Sequence, residues 1–139
     1  MYKVDMVHFE PTQLCQASCP MCDRNKNGGE VNQHLKDESM TLEGFKKAFS
    51  PEFLAQLKTF YFCGNHGDPI FAPDMLEQAE YVRDCSPDIH MFVTTNGGAR
   101  KPEWSDRLAP IVDLVNLSVD GLQDTNHFYR QGVKWEHVE

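Results

Sequence analysis

No apolar run in this sequence approaches the roughly 20 residues that an α-helical membrane span requires, so a chain crossing the membrane by helices is excluded. The N-terminus, Met1-Tyr2-Lys3-Val4-Asp5, lacks the charged-then-apolar pattern of a secretory signal. The expected location is therefore the cytoplasm. Basic residues are scarce: 13 Lys and Arg stand against 21 Asp and Glu, for a net charge of −8. A nucleic-acid surface needs a basic stripe to meet phosphates, so nucleic acid is not an expected partner. Internal repeats, low-complexity tracts and Pro/Gly linkers are also missing. A length of 139 residues then reads as one domain, 1–139. A disulfide scaffold is not expected, because it would more often show an even count at wider spacings than these five crowded cysteines.

What the sequence does contain is Cys15-Gln16-Ala17-Ser18-Cys19-Pro20-Met21-Cys22. In a reducing compartment three thiols on one short loop read as a metal site. They cannot saturate a four-iron cluster, which normally takes four cysteine ligands. One iron would stay open, and an open position marks catalytic metal sites. A structural zinc site, with Cys63 or a histidine as fourth ligand, is the competing reading. Zinc sites usually show two Cys-x2–4-Cys pairs, and no second pair exists here. Cys63 and Cys85 read as small buried hydrophobes.

Apolar residues at 2, 4, 6, 7 and 9 nearly alternate, which predicts a first strand over residues 2–9 that Pro11 terminates. Residues 23–39 are polar and rich in Asn and Gly, and predict a long exposed loop. Thr41 can cap a helix with Leu42, Phe45, Ala48 and Phe49 on its apolar face. Ser50-Pro51 starts a second short helix over 51–57. A compact aromatic run predicts a strand over 59–63, and Pro73-Asp74 opens a helix running to Cys85. Further strands are expected over 90–95 and 112–119, and weaker helices over 102–109, 124–129 and 134–139. Continuous apolar runs in the second and third strands predict burial on both faces. Strand–helix alternation at this rhythm argues for parallel βα units.

Every polar cluster falls just after a strand. The cysteine loop, residues 64–69, 96–98 and 118–121 would all lie at carboxyl ends of strands. In parallel α/β sheets and barrels that is where ligands bind. Taken one at a time, such turns are also ordinary punctuation.

Cys15-x3-Cys19-x2-Cys22 after a first strand resembles the cluster motif of the radical S-adenosylmethionine enzymes. His66-Gly67-Asp68-Pro69 resembles their Gly-Gly-Glu-Pro turn, with His66 in place of Gly and Asp68 in place of Glu. Thr95-Asn96-Gly97 resembles the frequent Thr-Asn-Gly. Ser118-Val119-Asp120-Gly121, followed by Asp124, His127, Tyr129 and Arg130, resembles the Ser-x-Asp-Gly segment with its downstream His and Arg. The resemblance implies a partial parallel (β/α) barrel in which a [4Fe–4S] cluster on Cys15, Cys19 and Cys22 binds S-adenosylmethionine. An electron from the cluster then releases a 5′-deoxyadenosyl radical that takes hydrogen from a substrate. The general look is that of members acting on peptides or proteins. A flavodoxin or ferredoxin would supply the electron.

The implied cofactor-binding residues are Met21, Gly67, Asp68, Asn96, Ser118, Asp120 and Arg130. Gly67 and Asp68 would meet the ligand's ammonium, Ser118 its ribose and Arg130 its carboxylate. Met21 stands where the family often has an aromatic against the adenine. Asn96 also reads as a plain turn residue. The family's core has six βα units, and only about four are legible here, so the barrel is expected to be truncated at its C-terminal side. A fragment, a split enzyme completed by a second chain, and an inactive relative all fit that count. The alternative to the enzyme is a non-catalytic iron–sulfur or zinc-binding interaction module. In each case the fourth strand is expected to be an exposed edge.

Overall fold

The computed structural model describes residues 3–139. Strands β1 (Met6–Phe9), β2 (Thr59–Phe62), β3 (His90–Thr95) and β4 (Leu114–Leu117) form one parallel sheet in the order β1-β2-β3-β4. Helices α1 (Leu42–Ala48) and α2 (Pro51–Ala55) follow β1, α3 (Met75–Cys85) follows β2, and α4 (Pro102–Leu108) follows β3. Two short helices, α5 (Asn126–Tyr129) and α6 (Trp135–Val138), come after β4. Sequential order with helical crossovers is the singly wound plan of a (β/α) barrel, here as an open partial barrel. No helix among the described residues is long and apolar enough to cross a membrane.

The third strand and the long helix before it match their expected bounds. The outer strands are shorter than the apolar pattern suggests. Part of the expected first strand, Tyr2, lies outside the described residues. Ahead of Met6, the Asp5 carbonyl accepts from the N–H groups of Lys58 (2.8 Å) and Thr59 (3.1 Å), so pairing begins only after it. β4 begins at Leu114 because Ile111 and Val112 bond back to the Leu108 carbonyl as α4 unwinds. It ends where β3 ends, with Ser118 N–H on the Thr95 carbonyl at 2.8 Å. Residues 56 and 57 drop out of α2 into tight bonds from Gln56 to Phe53 and from Leu57 to Leu54. Pro69–Phe71 forms a single 3₁₀ turn that the sequence pattern did not announce.

Burial on both faces, expected from the apolar runs, is not what the sheet does. Exposure alternates along β2 and β3. Phe9, Phe60, Phe62, Met91 and Val93 bury one face against Phe45, Leu54, Met75, Leu76 and Val82 of the helices. Phenylalanine rings dominate this core, with centroids 4.7 Å apart for Phe45–Phe49, 4.9 Å for Phe60–Phe62 and 5.1 Å for Phe9–Phe45. Ala48, expected on the apolar face of α1, is exposed. The other face of the sheet carries a polar row. His8 and Tyr61 rings lie 5.0 Å apart, the Tyr61 hydroxyl is 2.7 Å from Thr94 Oγ1, and Asn116 Nδ2 donates to that same oxygen at 3.4 Å. β4 is the open edge, with Leu114, Val115 and Leu117 all exposed.

Local capping follows the side chains. The Thr41 hydroxyl accepts from Gly44 N–H at 3.1 Å and starts α1. Thr41→Ala is expected to cost about 1 kcal/mol, read as a lower urea midpoint with unchanged slope. The Arg83 guanidinium spans the carbonyls of Pro87, Ile89 and Ile111 and reaches the Asp113 carboxylate at 2.9 Å. Asp113 also accepts from Met91 N–H at 2.7 Å. That backbone bond, with Arg83 behind it, holds the Asp113 carboxyl below its ordinary value of 3.8. A carboxyl depressed by folding contributes stability above its ordinary value, and that share is lost as pH falls through the lower folded value. Asp113→Asn should therefore lower stability at pH 7 and flatten its pH dependence below about pH 4, measured by urea unfolding at several pH values.

Candidate functional site

The cysteine loop follows β1 and is braced from both sides of the chain. Thr12 Oγ1 accepts from Leu14 N–H at 2.9 Å and turns the backbone into the loop. The polar stretch 23–39 is largely exposed, as expected, and is anchored as a strap by the buried Arg24 and Asn25. Lys26–Gly29 makes a tight turn with positive φ at Asn27 (52°) and Gly28 (76°), the geometry that suits Asn-Gly. Arg24 is buried, donates to the Gln13 carbonyl and pairs with Asp37 at 3.1 Å. On the far side, Ser18 N–H donates to the Gln131 carbonyl at 2.8 Å. Val133 packs on Ala17 and Cys19 in a second small core, with Tyr129 and Val138 beside it.

Around this loop the ends of β2, β3 and β4 converge. Cys15, Cys22, Gly67, Asp68, Asn96, Ser118 and Arg130 all line one cavity of about 100 Å³. Larger hollows lie along the 23–34 strap and between α4, β4 and α6, but neither is lined by a cysteine. The cavity is well below the 300–1,000 Å³ of a typical small-molecule pocket. It suits a compact group, and a nucleoside would extend over the sheet's open face.

Three of the anticipated residues lie off the cavity. Met21 is 84% exposed. Cys19 is buried against Ala17 and Val133, with Arg130 Nη1 at 3.7 Å from its sulfur. Asp120 makes its contribution through Arg130, whose Nε it holds.

Asp68 is buried, and its two oxygens accept from Thr95 Oγ1 (2.6 Å), Asn96 N–H (2.7 Å) and Ile70 N–H (3.2 Å). Burial pushes its carboxyl above the ordinary value, against the pull of these donors. The carboxylate thus ties the β2 turn to the end of β3. Gly67 is required by closeness, since a Cβ there would sit 2.1 Å from the Thr12 carbonyl oxygen. Asn96 does more than turn the chain. It is buried, its Nδ2 donates toward Cys15 Sγ at 3.5 Å, and its Oδ1 accepts from Gly98 N–H at 2.9 Å and from Gln16 Nε2.

All five cysteines are free. Burial pushes the Cys15 thiol up to about 11, with Asp68 and Cys19 adding to the rise. Burial also raises Cys19, and the Arg130 guanidinium opposes it. Among the described residues, the one group of three metal-capable side chains with ligand atoms within 4.8 Å of one another lies elsewhere, at His8, Glu10 and Cys63. The loop thiols are therefore spread wider than the shell of a single ion, where Zn–S distances are about 2.3 Å. That spread fits a polynuclear cluster, and the N–H donors from Ala17 (3.4 Å) and Asn96 fit thiolate sulfur at Cys15.

Sequence reasoning missed Arg24, Gln16 and Val133. Each acts through a partner distant in the chain, and none carries a motif. Cys63, read as a small hydrophobe, is buried but touches His8 Nε2 with its sulfur. Cys85 is only half-buried at the margin of the main core.

A family model for the Radical SAM superfamily matches residues 9–139. The fold is shared with the crystal structure of BtrN in complex with AdoMet and 2-DOIA, at TM-score 0.66 and 15% identity over 86% of this chain and 47% of that one. It is also shared with hexahistidine-tagged anSMEcpe with bound AdoMet, at TM-score 0.68 and 16% identity over 96% of this chain and 36% of that one. The chain thus spans less than half the length of either structure. No curated protein sequence matches it.

Proposed function

Because the chain belongs to the radical S-adenosylmethionine superfamily, we propose that Cys15, Cys19 and Cys22 hold a [4Fe–4S] cluster and that the site cleaves S-adenosylmethionine reductively to abstract hydrogen from a substrate. The single observation that carries this reading is the convergence of the cysteine loop with three strand ends on one cavity. Both structural neighbours were solved with AdoMet bound, which supports the same ligand here. When bound, the cluster would supply the one electron that splits the sulfonium S–C5′ bond into methionine and a 5′-deoxyadenosyl radical, which would take a hydrogen atom from the substrate.

The chain's own residues bind, orient and shield. Ala17 N–H and Asn96 Nδ2 donate to Cys15 sulfur, and Arg130 approaches Cys19. Such donors spread the negative charge of the thiolates and raise the reduction potential. Arg130, held by Asp120, faces the cavity with a guanidinium suited to a carboxylate. Ser118 follows β4 and lines the cavity, where its hydroxyl would meet the ribose. The Gly67 backbone lines the cavity and would meet the ligand's ammonium, and Asp68 would act there by fixing Thr95 and Asn96. Met21 stands out from the loop, where a thioether can pack on the adenine ring. A flavodoxin or ferredoxin is the fitting electron donor. Further barrel strands, on this chain or a second one, would pair at the open β4 edge.

The test is anaerobic reconstitution followed by electron paramagnetic resonance of the reduced protein. A four-iron signal that changes on adding S-adenosylmethionine is expected, together with 5′-deoxyadenosine in the presence of dithionite. A signal indifferent to the ligand, with no 5′-deoxyadenosine formed, would overturn the proposal for this chain.

A further inference from the structure

The His8, Glu10 and Cys63 cluster lies outside the cysteine loop and takes no part in the chemistry above. The parallel register pairs His8 with Tyr61 and Phe9 with Phe62, which places Glu10 beside Cys63 just past the strand ends. Alternation puts His8 and Glu10 on the sheet's open face, opposite the buried Phe9. The ligand atoms of all three lie within 4.8 Å of one another, and His8 Nε2 is in direct contact with Cys63 Sγ. The Glu10 carboxylate is already aimed: it accepts from the Asn65 backbone N–H at 2.9 Å and from Asn65 Nδ2. A second residue that orients a ligating carboxylate is characteristic of built metal sites.

We infer that His8, Glu10 and Cys63 form a second metal site, for one zinc ion, with its fourth position open to the concave face of the sheet. The donor set selects the ion. One imidazole, one carboxylate and one thiolate suit borderline-soft Zn²⁺, whereas Mg²⁺ and Ca²⁺ take oxygen ligands. With Zn–N, Zn–O and Zn–S distances of about 2.0–2.3 Å, the ligand atoms of one zinc lie within about 4 Å of one another, so the 4.8 Å grouping is near that of a zinc shell, and His8 Nε2 and Cys63 Sγ part to admit the ion. Three protein ligands with an open fourth position is the pattern of zinc sites that bind water or a substrate donor group. The accessible His8 and Glu10 leave that position open to solvent. Coordination displaces the Cys63 thiol proton to solvent. The site also adjoins the cysteine loop through one residue, since the Asn65 carbonyl lies 3.9 Å from Cys22 Sγ.

The experiment uses cluster-reconstituted protein, so that the loop thiols are occupied. It is dialysed anaerobically against buffered zinc and analysed by elemental analysis and zinc K-edge absorption. One zinc per chain is expected, with a shell of one sulfur and the remainder nitrogen or oxygen. His8→Ala and Glu10→Gln, both at exposed positions, should weaken zinc binding at least tenfold while circular dichroism is retained. Cys63→Ala should remove the sulfur from any residual shell. A three-sulfur shell, or zinc retention unchanged in His8→Ala, would overturn the assignment. None of these readouts involves S-adenosylmethionine, so failure here is distinct from failure of the radical reading.

Discussion

Cys19→Ser is expected to fold, yet to hold no stable cluster and to lower 5′-deoxyadenosine formation by more than about 100-fold, since losing a ligand exceeds the roughly 10–100-fold cost of losing a second-sphere partner. The thiol is buried between Ala17 and Val133, and a hydroxyl of similar size keeps that packing. What changes is the donor: a hydroxyl is a poor ligand for iron compared with a thiolate. Arg130→Ala supplies the contrast. It removes a guanidinium that approaches Cys19 sulfur from 3.7 Å, so a loss of about 10–100-fold is expected with the cluster still assembled. Iron and sulfide analysis beside the product assay separates the two cases. A Cys19→Ser protein with a full complement of iron and undiminished product would remove Cys19 from the ligand set.

The second large effect is on stability. Asp68→Ala is expected to cost about 3–5 kcal/mol, because it strands buried donors at about 1–3 kcal/mol each. Thr95 Oγ1, Asn96 N–H and Ile70 N–H all point at this carboxylate. Losing it releases Asn96, and with Asn96 the contact to Cys15. Cluster loading should fall together with the urea midpoint. Asp68→Asn keeps one acceptor oxygen but turns an amide N–H toward those donors, so an intermediate loss is expected. An alanine variant within about 1 kcal/mol of the parent would show that the turn is held by something else.

These residues also show what the sequence could convey. The cysteine spacing is a local signal, and it pointed to the loop on which the strand ends converge. β3 and α3 were legible because each carries a full period of its own pattern within its bounds. β1 and β4 were read too long. An apolar pattern says where a strand is able to form, whereas its paired length depends on the flanking backbone, as where Ile111 and Val112 bond back to Leu108 ahead of β4. Bracing of the loop was not legible at all. Gln131, Val133 and Arg24 owe their roles to contacts across the chain, and each would pass alone for a surface or filler residue. Cys63 is buried as its composition suggests, but its contact with His8 was not legible, because His8 comes from another strand.

The alternation of exposure along the strands has a practical outcome for redesign. Residues of one parity, such as Phe60, Phe62, Met91 and Val93, are locked into the phenylalanine core. Those of the other parity, such as Tyr61, Phe92, Thr94 and Asn116, face the open side. A library confined to the second set changes the chemistry of the open face while leaving the core untouched. One confined to the first set selects for folding alone. Surface chemistry and stability can thus be varied on this scaffold as nearly independent traits, by choosing every second position of a strand.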